Sequence, residues 1–179
     1  NTNYLHKQLK ALHLIGTRFS ILGNFEKRNI YFENAIQILP KNQFTNYKTI
    51  ILNYATNCSK LKQFDKSIQL IQLLNDEAST DTKLKVECCI RSLSCYLFME
   101  NAKAIHQLVI SQDYSTIQPH EKIYFRLCQC LAFLMENEYD LANSEINNLM
   151  RSKLMNEIDA DFLPATELIN FMITAVFKN

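Results

Sequence analysis

The chain has 179 residues, of which 47% are apolar and 21% are charged, and this composition predicts a folded globular protein. Its 19 basic and 18 acidic residues give a net charge of +1, which is too small to attract a polyanion over long range, so we expect no nucleic-acid partner. Two glycines and three prolines provide too few turns for an all-β fold or a glycine-rich phosphate loop, so we expect an all-α chain.

The spacing of the apolar residues predicts a chain made of helices from end to end. In chain order, the predicted helices cover about residues 4–22, 25–39, 45–61, 64–74, 82–99, 102–111, 120–136, 139–151 and 162–177. Pro40 is expected to end the second helix, because proline has no amide donor and clashes with the preceding turn. Polar loops are predicted over 75–81 and 111–120.

Two similar words, LFMEN at 97–101 and FLMEN at 133–137, each lie between a longer and a shorter predicted helix. Asparagine is a good N-cap, so each word predicts a turn whose last residue caps the next helix. Turns of this kind are predicted at Asn24, Gln63, Asn101 and Asn137, spaced by 39, 38 and 36 residues. A period of this length that holds two helices is typical of a helix-hairpin solenoid.

The first predicted hairpin carries a denser pattern of residue types. Its pattern residues are Leu12, Ile15, Gly16, Phe19, Phe25, Phe32, Ala35 and Pro40. Over residues 9–42 this pattern closely resembles a tetratricopeptide repeat, in which a small residue at the place of Gly16 lets two helices approach. The other hairpins match at fewer positions, and all exceed the family period of about 34 residues.

The resemblance implies an all-α, right-handed α-solenoid with about four helix hairpins and a C-terminal capping helix. The expected hairpins cover about residues 4–40, 45–75, 82–111 and 120–151, and the capping helix covers 162–177, within a single domain over 1–179. Met99 and Met135, inside the repeated words, are expected to fill the core.

Motifs for catalysis or metal binding are missing from the sequence. The six cysteines are Cys58, Cys88, Cys89, Cys95, Cys128 and Cys130. Cysteines one or two positions apart on a helix point in different directions, so we expect buried, reduced thiols and neither a metal nor another cofactor. Serine-hydrolase, zinc-protease, phosphate-loop and dinucleotide motifs do not occur, so we expect no enzymatic activity.

The ends of the chain predict no membrane segment. The apolar stretch from Leu168 to Phe177 is about half of the ~20 residues that a spanning helix needs. The first residues lack the apolar core of a signal peptide, and the absence of an initiator Met indicates an excised piece of a longer chain. Together with the reduced thiols, these features predict a cytoplasmic location.

In tetratricopeptide arrays the first helix of each hairpin lines a concave groove, and the resemblance therefore implies a set of groove residues. The implied peptide-binding residues are His13, Thr17, Asn53, Thr56, Lys60, Glu87, Arg91, Ser94, Lys122, Arg126 and Gln129. His13 and Thr17 stand where carboxylate-binding members have Lys and Asn, so the full clamp is not expected. Ordinary solvated helix surface is the alternative interpretation of each residue.

The leading functional hypothesis is a protein- or peptide-binding scaffold that uses the concave groove. Lys122 and Arg126 are one helical turn apart, so we expect them to point outward and to bind an acidic or C-terminal peptide segment. The alternative is a ligand- or peptide-sensing regulatory segment of a larger regulator. Self-association through the apolar terminal helix around Phe171 is a further expectation.

Overall fold

The computed structural model describes residues 2–40, 43–78, 80–157, 167 and 169–174. These residues form helices, turns and short connections, which confirms the all-α prediction for the described part of the chain. Within the same residues, every helix is too short or too polar to cross a membrane.

Eight α-helices and two short 3-10 helices have defined bounds in the described residues. The α-helices are α1 Thr2–Ile21, α2 Phe25–Gln37, α3 Lys48–Lys60, α4 Phe64–Glu77, α5 Thr82–Phe98, α6 Ala102–Ile110, α7 Pro119–Met135 and α8 Tyr139–Met150. The 3-10 helices are Phe44–Tyr47 and Lys153–Glu157. The predicted loop over 75–81 is therefore partly wrong, since α4 continues to Glu77. That carboxylate accepts the backbone amide of Thr45 at 2.5 Å and so holds the 3-10 turn before α3.

The chain divides into two compact units, Asn1–Cys95 and Tyr96–Asn179, and the division falls inside α5. In the first unit α1 packs against α2, α2 against α3, and α3 against α4. In the second unit α6 packs against α7 and α7 against α8. The single domain over 1–179 stays a prediction.

The turn between the two helices of a hairpin has the same backbone geometry four times. Each turn contains one residue of positive φ: Gly23 (69°), Lys62 (59°), Glu100 (53°) and Asn137 (63°). The amide of that residue donates to the carbonyl three positions back, and the next amide donates to the carbonyl five positions back. This pair of bonds is the Schellman motif, which satisfies the last carbonyls of the preceding helix.

Side-chain caps follow two of the four turns as predicted. Asn24 Oδ1 accepts the amide of Lys27 at 3.0 Å, and Asn101 Oδ1 accepts the amide of Ala104 at 3.1 Å. The predicted cap at Asn137 is wrong, because Asn137 is itself the positive-φ residue and the N-cap is Glu138. Asparagine tolerates the left-handed conformation, so it suits either place. The two MEN words therefore occupy their turns one position apart. The asparagine is the N-cap in the first word, at Asn101, and the positive-φ residue in the second, at Asn137.

The core of the first unit is built around Phe32, which is fully buried. A Cβ added to Gly16 would lie 3.3 Å from the Phe32 ring, so α1 and α2 cross closely at Gly16 as predicted. The Phe32 ring also lies 6.3 Å from that of Tyr54, between centroids. The buried residues around them are Leu9, Ala35, Leu39, Ile50, Ile51, Leu52, Ala55, Cys58, Leu70, Ile71, Leu74, Ala78, Leu84 and Cys88.

The core of the second unit includes part of the predicted capping helix. Its buried residues are Ile123, Leu127, Cys130, Ala142, Ile146, Leu149, Ile169 and Ile173. Residues 169–174 are helical, and Ile169 and Ile173 are one turn apart and pack with the residues of α7 and α8. The rest of the predicted helix over 162–177, apart from residue 167, lies outside the described residues. The expectation that Met99 and Met135 fill the core is wrong, since both are 36% exposed.

Candidate binding face on the first helices

Eight of the predicted groove residues lie in the first unit, on α1, α3 and α5. We call this set the first-helix face: His13, Thr17, Asn53, Thr56, Lys60, Glu87, Arg91 and Ser94. Lys60 is exposed and the others are half-buried, so polar groups of three consecutive first helices are within reach of solvent.

The contact between α1 and α3 on this face is a hydrogen bond between two of the predicted residues. Asn53 Nδ2 lies 2.8 Å from His13 Nε2. An amide nitrogen donates only, so Nε2 accepts and the imidazole is neutral with its proton on Nδ1. Burial, and then the positive charge of Arg28, lower the pKa of His13, which agrees with a neutral ring.

The contact between α3 and α5 is made by Arg91. Its Nη1 donates to Thr56 Oγ1 at 2.6 Å, while Nη2 and Nε lie 2.8 and 3.3 Å from Glu87 Oε1. Glu87 lies one turn before Arg91 on α5, so the guanidinium has a carboxylate partner on its own helix. The first-helix face is thus connected by side-chain bonds across α1 to α3 and α3 to α5.

The remaining members of the face have simpler surroundings. Ser94 Oγ donates to the carbonyl of Ile90 at 3.1 Å, and Lys60 Nζ lies 4.8 Å from the ring centroid of Phe25. Thr17 Oγ1 is buried and has no hydrogen-bond partner among the described residues. A buried hydroxyl without a partner costs free energy. A ligand group that formed a hydrogen bond with Thr17 would recover part of that cost.

Arg28 adjoins this face through the backbone carbonyl of Asn53. It is not among the groove residues predicted from the sequence. It lies on α2, where its amide donates to the carbonyl of the N-cap Asn24. The residues whose amides donate to the N-cap carbonyl in the same way in α4, α6 and α8 are Ser67, Ile105 and Ala142, and all three are buried. Arg28 is only 6% exposed. The first hairpin therefore buries a cation where the other three bury an uncharged residue.

The guanidinium of Arg28 contacts only uncharged groups among the described residues. Its Nη1 donates to Ser20 Oγ at 2.6 Å, and its Nη2 donates to the carbonyl of Asn53 at 3.1 Å. The guanidinium carbon lies 4.9 Å from the ring centroid of Phe32. Arg28 Nε is buried and has no acceptor in this part of the chain. Burial lowers the pKa of Arg28 from its ordinary value.

These contacts offset the burial of the charge without supplying a counter-ion. Removing a charged side chain from water costs several kcal/mol even after relaxation. Each bond to a charged donor returns about 1.5–3 kcal/mol, and the contact with the Phe32 ring about 0.5–2 kcal/mol. A buried charge with no counter-ion among the described residues is a candidate for a functional role, because perturbed ionisable groups cluster at functional sites.

In the second unit, Arg126 has a different environment. Its Nε lies 2.5 Å from Glu145 Oε1 on α8, and the two side chains are 20% and 22% exposed. The expectation that Arg126 points outward is therefore wrong, because its guanidinium is directed to the partner helix of its own hairpin. Lys122 and Gln129 are half-buried on α7, and their side chains have no hydrogen-bond partner among the described residues.

The thiols are buried as predicted. All six cysteines are free and buried. Burial raises the pKa of the Cys58 thiol to about 11 and that of the Cys128 thiol to about 12, so almost no thiolate forms near neutral pH. In the described part of the chain, no three His, Cys, Asp or Glu side chains are grouped to hold a metal ion.

Comparisons with protein-family models, curated proteins and solved structures give no match to this chain. The tetratricopeptide resemblance of residues 9–42 therefore stays a prediction from residue spacing. The functional interpretation rests on the geometry of the first-helix face and of Arg28.

Proposed function

We propose that this chain is a non-enzymatic interaction module that holds a peptide or a partner protein against the first-helix face. The observation that carries the proposal is the pair of bonds His13–Asn53 and Thr56–Arg91, which join polar side chains of three first helices. A partner that lies along these helices meets polar side chains whose positions these hydrogen bonds hold. Such preorganisation lowers the entropic cost of binding.

The fold that we propose for this function is the right-handed, tetratricopeptide-like α-solenoid. The support is the Schellman turn that recurs at Gly23, Lys62, Glu100 and Asn137, because one backbone turn at a nearly constant interval is what a hairpin repeat requires. In such an array the first-helix face lies on the concave side. Lys122, on α7 of the second unit, stays a groove residue predicted from the sequence.

Binding is favoured over catalysis by the state of the reactive groups. The imidazole of His13 is paired with an amide, whereas a general base is usually oriented by a carboxylate. The thiols are buried, and burial raises the pKa of Cys58, Cys88, Cys128 and Cys130, so these four are poor nucleophiles. Both observations support the proposal of a binding role over a catalytic one.

A ligand-sensing segment of a larger regulator is the second candidate, and Arg28 is the observation in its favour. A ligand that supplied the missing counter-ion would change the stability of the first hairpin. Binding would then be coupled to the conformation or the dynamics of the chain. A cytoplasmic location, the absence of a nucleic-acid partner and self-association through the helix around Phe171 stay predictions from the sequence.

The test of the proposal is the affinity of a captured partner for variants of the face. Partners captured with the full chain are purified, and each is titrated calorimetrically against the wild type and against His13→Ala/Asn53→Ala. The control is Glu26→Ala/Gln72→Ala, which changes two exposed residues on α2 and α4. We expect the face variant to weaken binding by about 2 kcal/mol or more and the control to leave it unchanged. Equal affinities for all three proteins would contradict the proposal.

A further inference from the structure

Three arginines of the described residues have partly or fully buried guanidinium groups, and one of them differs from the others. Arg91 is paired with Glu87, and Arg126 is paired with Glu145. Arg28 is the most buried of the three, at 6% exposure, and it has no carboxylate partner in the described part of the chain. Among the described residues, the two less buried guanidinium groups each have a carboxylate partner and the most buried one has none.

The polar atoms around Arg28 are neutral and not fully used. Ser20 gives a hydroxyl and Asn53 a backbone carbonyl, and these two bonds leave Arg28 Nε without an acceptor. Thr17 Oγ1 is also buried without a partner. Thr17 lies four positions after His13 and three before Ser20 on α1, so the three side chains share one face of that helix.

We infer that Arg28 is the cation of an oxyanion subsite on the first-helix face, where it binds a carboxylate or phosphate group of the ligand. The inference deepens the proposed function and rests on it, since it names the chemistry of the group that the face recognises. A planar guanidinium matches the paired oxygens of these anions, and charge-assisted bonds to them are the strong ones. Thr17, which shares the face of α1 with Ser20, has a buried hydroxyl without a partner and is the further neutral donor that the proposal assigns to this group.

The group that the ligand replaces is the Ser20 hydroxyl. Ser20 is half-buried, and its side chain leaves Arg28 Nη1 by one rotamer change, whereas the Asn53 carbonyl is fixed by α3. A ligand oxygen at that place would give the guanidinium its first charged acceptor. Asn53 and His13 are half-buried like Ser20, so all three residues are partly accessible to solvent.

The experiment uses simple anions, so it needs no identified partner. The 179-residue chain labelled with ¹⁵N is titrated with sodium acetate and, separately, with sodium phosphate, each against sodium chloride at matched ionic strength. The readouts are the Nε–H resonance of Arg28 and the melting temperature. Arg28→Met removes the charge and keeps much of the side-chain volume. Arg18→Met removes an exposed charge from the last turn of α1 and is the matched control.

We expect acetate, phosphate or both to shift the Arg28 resonance to saturation and to raise the melting temperature of the wild type and of Arg18→Met. In Arg28→Met the apparent anion affinity should fall about tenfold or more, the scale of one charge-assisted bond. A response to acetate alone identifies a carboxylate ligand, and a response to phosphate alone identifies a phosphate ligand.

Two results would overturn the inference: an Arg28 resonance that neither anion shifts beyond the chloride control, or an equal rise in melting temperature in Arg28→Met. The resonance is measured on the wild type, so the test stands even if the variant does not fold. If the anion test fails, the partner titrations of the His13→Ala/Asn53→Ala protein still test the proposed function independently. A partner insensitive to that variant, with a saturable anion response, would instead overturn the proposed function alone.

Discussion

Arg28 in the first unit and Arg126 in the second show two ways in which a helix hairpin can bury an arginine. Arg126 lies on the first helix of its hairpin and meets Glu145 from the second, so the two charges neutralise each other inside the fold. Arg28 lies on the second helix of its hairpin and contacts Ser20 and a carbonyl, and no carboxylate of the described residues balances its charge. The first arrangement is complete without a ligand, whereas the second is complete only when an anion is supplied.

The backbone does not explain this difference. Both hairpins turn through a Schellman motif, at Gly23 and at Asn137, and both close with an amide that donates to the N-cap carbonyl. At that closing place the fourth hairpin has Ala142, which is fully buried. The two hairpins share their turn geometry and differ in their side chains. Single substitutions can therefore test the difference.

The largest effect is expected from removing the ring on which Arg28 lies. Phe32→Ala deletes a fully buried side chain that contacts α1, α3 and the guanidinium, and it should lower the free energy of unfolding by about 3–5 kcal/mol. Urea unfolding measures this loss. A loss below about 1 kcal/mol would show that the first hairpin is not packed around Phe32.

A smaller loss is expected from Gly16→Leu, which overpacks the crossing of α1 and α2. The Cβ alone would lie 3.3 Å from the Phe32 ring, so a larger side chain forces the helices apart, at a cost of typically about 1–3 kcal/mol. Gly16→Ala should cost less, because the ring needs to give only slightly. Thermal melts of the two variants check the order, and an unchanged melting temperature in Gly16→Leu would contradict the close crossing.

Glu145→Ala would give Arg126 the environment of Arg28, a largely buried guanidinium without a carboxylate partner. It leaves Arg126 largely buried without its carboxylate, and we expect a loss of about 1–2 kcal/mol, below the ~3–5 kcal/mol of a fully buried pair because both side chains keep some exposure. Removing Arg126 as well should recover part of the loss, which a double-mutant cycle measures by denaturant unfolding. Strictly additive losses would mean that the pair is not coupled.

The smallest effect is a pH dependence from His13. Burial and the charge of Arg28 lower its pKa in the folded protein, so the unfolded chain binds more protons in the range between the two pKa values. Stability from this group is complete above the ordinary histidine pKa of about 6.5 and is lost as the pH falls through that value. The unfolding free energies of the wild type and of His13→Gln, measured at a series of pH values, should therefore diverge below about pH 6.5. Parallel curves would show that the ring is not buried as a neutral group.

Local features of this fold could be predicted from the sequence. Apolar periodicity gave the helices, and Asn24 and Asn101 cap them because a cap depends only on the next turn. Asn137 was misassigned because its side chain suits both the left-handed turn residue and the N-cap.

The features that the sequence did not reveal depend on contacts between distant residues. The bond from Arg28 to the Asn53 carbonyl joins residues 25 positions apart, and the pair of Arg126 and Glu145 joins residues 19 apart. A periodic pattern indicates which positions are buried, but it does not indicate whether a buried charge finds a partner. For the same reason, the side-chain bonds that connect the first-helix face had no sequence signal of their own.

The most direct test of the account compares Arg28→Met with Arg126→Met in a buffer free of carboxylate and phosphate. We predict that Arg28→Met is at least as stable as the wild type, because the substitution removes an uncompensated buried charge. Arg126→Met should be less stable by about 1–2 kcal/mol, because it leaves Glu145 largely buried without its partner. Denaturant unfolding gives both values. If Arg28→Met lost as much stability as Arg126→Met, the charge of Arg28 would be serving the fold itself, and the claim that it awaits an anion would be wrong.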